Sequence, residues 1–147
     1  GRNPVEPVHE NDDFDLEIGK AIELRPGTDA AIIATGEMVR TACDTADRLC
    51  EKGLKVRVLD MHTIKPLDEQ SIIRAARETG TIITLEEHSV VNGLGAMVAK
   101  VVCEHAPCRL KALGLPDESL ITGESAELFE YYGLIPEKIA ALIKEIV

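Results

Sequence analysis

Glu86, Glu87 and His88 are the residues of this chain best suited to chemistry. They set two carboxylates and an imidazole in a row, where the apolar run 81–85 ends and shortly before Gly93 and Gly95. A histidine beside a carboxylate can titrate near neutral pH and move protons. The same group could instead hydrogen-bond a neighbouring domain or subunit. A third reading is a solvated loop whose carboxylates cap the helix that follows. His62, in Met61-His-Thr-Ile-Lys-Pro66, and Gly36 each follow an earlier apolar run. In an α/β protein all of these positions fall on one edge of the sheet. They could line a crevice there, because open α/β sheets bind ligands outside the carboxyl ends of their strands. For His62 the plainer alternative is a turn histidine with its hydrogen bonds satisfied. Thr122-Gly-Glu-Ser125 has helix-start chemistry, with Ser125 able to cap and Glu124 suited to the positive end of the dipole.

Several other chemistries are excluded. No phosphate-binding Gly-x-x-x-x-Gly-Lys-Ser/Thr occurs. Gly93-Leu-Gly95 follows a strand and opens a helix, but Val98 stands at the third glycine position, so a dinucleotide fingerprint is not expected. The glycines then serve a tight loop and close helix–sheet packing. No Gly-x-Ser-x-Gly elbow is present to build a serine nucleophile. The four cysteines, Cys43, Cys50, Cys103 and Cys108, have no metal spacing. They are expected as buried reduced thiols of a cytosolic protein, with Cys43 and Cys50 on one helix face. Net charge is −10 and the pI about 4.8. A phosphate backbone would be repelled, so nucleic acid is not an expected partner. No apolar stretch approaches the ~20 residues of a membrane span, and no signal peptide is visible. The chain starts at Gly1 without Met, as a fragment or processed product would.

These side chains must be positioned by a regular alternation of elements. Residues 1–17 contain two prolines and a charge run, and are expected as an extended arm. A short edge strand is expected over 20–24. Residues 30–35 form a continuous apolar run of strand length, typical of a strand covered on both faces. Met38, Ala42, Thr45, Ala46 and Leu49 then recur at helical spacing. A second strand follows over 55–61. Asp68 is placed to cap a helix carrying Ile72, Ile73 and Ala76, with Gly80 as its stop. The third strand spans 81–85. Leu94, Met97 or Val98, and Val101 or Val102 make the next helical stripe. The charged segment 109–114 suits an edge strand. Two helices close the chain, at about 125–132 and from Pro136 onward. Strands alternating with helices predict one domain with a parallel sheet of about five strands: a three-layer α/β/α sandwich with right-handed crossovers. Aromatic residues are only 3% of the chain, so the core must be aliphatic.

Taken together, Asp29-Ala-Ala-Ile-Ile-Ala-Thr-Gly36, Asp60-Met-His-Thr-Ile-Lys-Pro66, Glu86-Glu-His88 and Gly123-Glu-Ser125 resemble the C-terminal domain of transketolase, in order and at compatible spacing. The likeness is nearest to the C-terminal subunit of two-chain bacterial and archaeal transketolases. The same domain ends deoxyxylulose-phosphate synthase and the beta subunits of pyruvate-type dehydrogenases. The resemblance implies a mixed five-stranded sheet with one antiparallel strand, for which the segment at 20–24 is the candidate. It implies a linker arm from a pyrimidine-binding domain at 1–17 and the C-terminal domain at 18–147. The parent enzyme would move a two-carbon ketol unit between sugar phosphates, using thiamine diphosphate and a divalent metal such as Mg. Those groups would be held by N-terminal and pyrimidine-binding domains of the same enzyme, a homo-oligomer in the cytoplasm. This chain would then bind no cofactor, hold no metal and be inactive alone. Arg2 would be the remnant of a substrate-phosphate contact. Glu86, Glu87 and His88, with His62 and Gly93, would serve a domain or dimer interface. Asn92 stands where relatives often have Gly. The rival readings are the same domain of a deoxyxylulose-phosphate synthase or of a 2-oxoacid dehydrogenase beta subunit, the latter docking an acyltransferase partner, and a free-standing flavodoxin-like module with a small ligand at Gly36, His62, Glu87 and His88.

Overall fold

The computed structural model describes residues 8, 16–118 and 123–147. Five strands form one sheet: β1 (Ile22–Arg25), β2 (Ala30–Ala34), β3 (Val56–Asp60), β4 (Thr81–Ser89) and β5 (Arg109–Leu115), in the order β1-β3-β2-β4-β5. β1 runs antiparallel to β3, and the other pairs are parallel. The expected α/β/α sandwich with one antiparallel strand is therefore the observed architecture.

Both faces of the sheet are covered, which is why its central strands are apolar without alternation. Successive residues of β2 point to opposite sides. Ala30, Ile32 and Ala34 enter one aliphatic core, which they share with Met38, Leu49, Ile139 and Ile143 from α1 (Met38–Cys50) and α5 (Pro136–Ile146). Ala31 and Ile33 enter a second core with Ile72 and Ala76 of α2 (Glu69–Thr79) and Val98 and Val102 of α3 (Leu94–His105). A short helix, α4 (Ser125–Tyr131), packs Phe129 against the first core.

Asp68 fixes the start of α2 as its sequence position suggests. Its Oδ1 accepts the Ser71 N–H at 3.0 Å and its Oδ2 the Ser71 hydroxyl at 2.8 Å. Oδ2 also accepts the Ala21 N–H at 2.9 Å, so one carboxylate ties the helix to the approach to β1. Gly80 closes α2 in the left-handed region at φ 66°. A buried guanidinium, Arg57 on β3, joins the same elements: it lies 2.6 Å from Glu78 of α2 and 3.5 Å from Glu23 of β1.

Three expectations need correction, and one alternative is decided. β4 does not stop at residue 85 but runs to Ser89, with its pairing to β5 shifted between Leu85 and Ser89. Ser125 is the first helical residue of α4, and the cap position falls to Glu124, whose side chain makes no cap hydrogen bond. Of the four free thiols only Cys43 is buried, while Cys50 and Cys103 are exposed. Met97 is exposed and leaves the α3 stripe to Leu94, Val98, Val101 and Val102. The arm expected at 1–17 falls mostly outside the described residues, although Val8 touches the first core.

Burial works to raise the Asp68 carboxyl, but the donors at Ala21 and Ser71, with the charge of Lys20, outweigh it and hold the group below the usual carboxylate value. A depressed folded value stabilises the fold above the unfolded value of about 4, and that contribution is lost as pH falls through the folded value. D68A should therefore cost about 1–2 kcal/mol at pH 7. The cost should shrink markedly near pH 3, as read from urea midpoints at the two pH values.

Candidate functional site

The neighbouring strands β2 and β4 part company at their carboxyl ends. β2 leads into α1 on one face of the sheet, and β4 into α3 on the other. A crevice opens at such a switch point in doubly wound folds. The extension of β4 to Ser89 carries Glu86, Glu87 and His88 up to this place, and strand alternation sends the two carboxylates to opposite faces.

Glu86 points toward α3 and is only 1% exposed. Its Oε2 accepts the Leu94 N–H at 2.8 Å and its Oε1 the Gly95 N–H at 2.9 Å. The first turn of a helix has N–H groups without partners and a positive dipole end, and a carboxylate answers both. Gly93, in the N-cap position, offers no side-chain cap of its own. A Cβ there would come within 2.0 Å of Glu86 Oε2, so the residue must be glycine for the carboxylate to reach. A Cβ at Gly95 would come within 2.7 Å of Ala112 Cβ and 2.9 Å of Thr84 Oγ1, which sets how closely α3 lies on the sheet. Asn92 takes φ 59°, a left-handed conformation that asparagine tolerates and glycine favours. The glycine pair thus serves an internal cap. The α3 N-terminus has two of its donors committed to Glu86 and so is poorly placed to cradle a phosphate.

Glu87 points the other way, over Gly36 at the end of β2. A Cβ on Gly36 would lie 2.2 Å from Glu87 Oε1, and Gly36 has φ 59°. The Glu87 side chain is 12% exposed, and its Oε2 is buried without a hydrogen-bond partner. His88 is 61% exposed, with Nε2 3.7 Å from Glu87 Oε1. His62, at the end of β3, is half-buried, and its Nε2 likewise has no partner. It is not the satisfied turn histidine that the plainer alternative expects.

The structure therefore brings Gly36, Glu87 and His88 together, with His62 on the adjoining strand end. Glu86 and Gly93 are turned inward to α3. Arg2 lies outside the described residues. Two residues of this edge had no functional reading in the sequence: Val91, 51% exposed in the β4–α3 connection, and Met97, 38% exposed in the first turn of α3. Among the described residues no group of three or more His, Cys, Asp or Glu is gathered as a metal ion needs. Among them, too, no helix is long and apolar enough to cross a membrane.

The sequence profile of the family described as transketolase, C-terminal domain, matches residues 19–139. The chain is 48% identical over 147 residues to the B subunit of the apulose-4-phosphate transketolase of Phocaeicola vulgatus, covering 100% of this chain and 47% of that protein. It is 38% identical over 132 residues to a 1-deoxy-D-xylulose-5-phosphate synthase of Heliobacterium modesticaldum, covering 89% of this chain and 20% of that one. A solved structure described as a split gene transketolase, inactive beta4 tetramer, superposes with a TM-score of 0.92 at 34% identity, over 99% of this chain and 47% of its own. The chain thus spans less than half the length of these relatives.

Two substitutions test the division of labour between the carboxylates. E86Q places an amide against two backbone donors and should cost about 2–3 kcal/mol, with faster hydrogen exchange at the Leu94 and Gly95 amides. G36A should cost about 3 kcal/mol in the natural chain. In an E87A background, where the clash is gone and left-handed strain remains, the cost should fall to about 1–2 kcal/mol. Equal costs in both backgrounds would refute the contact.

Proposed function

Because this chain belongs to the transketolase C-terminal domain family, we propose that it is the scaffold portion of a thiamine-diphosphate-dependent transketolase. The parent transfers a two-carbon ketol unit between sugar phosphates, in the cytoplasm. This domain braces the catalytic domains and contributes to contact between protomers. Residues 1–17 are its linker from a pyrimidine-binding domain, residues 18–147 the domain itself, and Arg2 a remnant of the substrate-phosphate contact. Its interface with the rest of the enzyme is the sheet edge carrying Glu87, His88 and His62, with Glu86 and Gly93 shaping that edge from inside.

The observation that supports this reading is the likeness of all 147 residues of this chain to 47% of the B subunit of a transketolase. The chain's own residues do not fit thiamine diphosphate. Two N–H groups at the glycine-flanked start of α3 are bonded to Glu86, and no acidic cluster gathers to hold a diphosphate-bound Mg ion among the described residues. On this reading the cofactor, metal and catalytic groups lie in the parts of the enzyme outside this chain, and no catalytic step is assigned to these residues. The likeness to a deoxyxylulose-phosphate synthase supports a second reading, in which the parent is a synthase using the same domain for the same bracing role.

Titration of thiamine diphosphate and Mg into the 147-residue chain should give no binding heat by calorimetry, and the chain alone should show no ketol transfer. Joined to the polypeptide that adjoins it in the gene, and to a second polypeptide where the enzyme is made in two pieces, it should support transfer between sugar phosphates. Tight cofactor binding by the chain alone would overturn the proposal.

A further inference from the structure

A crevice of about 420 Å³ opens at the amino ends of β2 and β3, between the β1–β2 turn and the C-terminal end of α1. Its volume falls in the range of small-molecule sites. It lies at the opposite end of the sheet from the edge proposed above as the interface, so both can be occupied at once.

The walls are fixed before any ligand arrives. The Thr28 and Asp29 N–H groups both donate to the Lys55 carbonyl at 3.0 Å, and the Lys55 N–H donates to Asp29 Oδ2 at 2.7 Å. Gly27 is pressed so closely on β3 that a Cβ there would lie 2.3 Å from the Arg57 backbone nitrogen. The Arg25 guanidinium donates to the two oxygens of Asp47 at 2.8 and 3.1 Å, and to the Leu24 carbonyl at 2.9 Å.

These commitments decide what is left for a ligand. Asp47 is the one carboxylate among the described lining residues, and Arg25 occupies both of its oxygens. The Lys55 ammonium, the Thr28 hydroxyl and the Cys50 thiol belong to the same lining, and their side chains have no hydrogen bond or ion pair among the described residues. All three can donate, and the ammonium can do nothing else. The lining holds two cations, Arg25 and Lys55, against the single anion Asp47, an excess of one positive charge in a chain whose net charge is −10. The rest of the wall, at Pro26, Ala46 and Val56, is apolar.

We propose that this crevice binds a small monocarboxylate with a compact apolar body, its carboxylate on the Lys55 ammonium and the Thr28 hydroxyl and its body against Pro26, Ala46 and Val56. A cation is refused by the excess positive charge and by the occupied Asp47. A dianionic phosphate brings one charge more than the lining answers, and would lose water against apolar walls. A neutral molecule of the same shape gains the apolar contact but forgoes the charge-assisted bond to Lys55. The site rests on the geometry of this chain and not on the function proposed above.

The test titrates phenylacetate, as a probe of this class, into the isotopically labelled 147-residue chain followed by NMR. The Thr28 and Val56 amides should shift saturably. Phenethyl alcohol should bind more weakly at the same amides, and phenethylammonium should not bind. K55Q should weaken phenylacetate about fivefold, the worth of an exposed ion pair at its upper end, and leave the alcohol unchanged. C50F, which fills the crevice from an exposed position, should abolish both responses while amides remote from it keep their shifts. Phenylacetate should also slow alkylation of Cys50 by iodoacetamide and leave that of the exposed Cys103 as it was. Unmoved Thr28 and Val56 amides, a response to phenethylammonium equal to that of phenylacetate, unaltered phenylacetate binding in K55Q or C50F, or equal protection of Cys50 and Cys103 would each overturn the site. None of these results bears on the family or on the parent enzyme.

Discussion

The bond between the Glu86 carboxylate and the first turn of α3 is the constraint on which this end of the molecule is organised. Two N–H groups at a helix start need acceptors, and the residue in the cap position is a glycine with none to give. A carboxylate from the strand beneath fills that need. It can do so only because Gly93 has no Cβ in its way and because β4 continues past Leu85. With Glu86 committed to one face, alternation along the strand delivers Glu87 to the other, directly over the end of β2. The interior bond thus determines what is offered at the surface.

Much of the architecture is legible in the sequence because the forces that make it are local and repetitive. The continuous apolar run at 30–35 means a strand covered on both sides, and every residue of β2 is buried. Asp68 and Gly80 bracket α2 through their own chemistry, one by accepting hydrogen bonds and one by entering the left-handed region. The charged residues of β5 belong to an edge strand, and β5 is one. The antiparallel direction of β1 is different. Four residues carry no orientation of their own, and the resemblance to a family supplies what periodicity does not.

The candidate site is less legible, for a physical reason. Periodicity reports which side of an element is apolar, and Glu86 and Glu87 are both polar, so the pattern ends before they do. Only the position of α3 relative to β4 separates a sequestered cap from a carboxylate over Gly36. The same limit applies to Met97 and Val98, adjacent candidates for one helical stripe, of which packing against the sheet selects Val98. It applies also to Cys43 and Cys50. They lie seven positions apart on one helix, yet Cys50 ends α1 in solvent while Leu49 beside it stays fully buried in the core. Ser125 has the chemistry of a cap but sits one position inside α4.

The direction of β1 has a further consequence. Because the chain enters the sheet at the carboxyl end of β3, anything covalently attached ahead of β1 is leashed to that end of the sheet. Such a leash raises the effective concentration of an attached domain to the millimolar range when the linker is short and flexible. A contact too weak to form between separate molecules at cellular concentrations would then be largely closed within one polypeptide. With such a leash, a small contact surface at this end of the sheet suffices to set an attached domain against it.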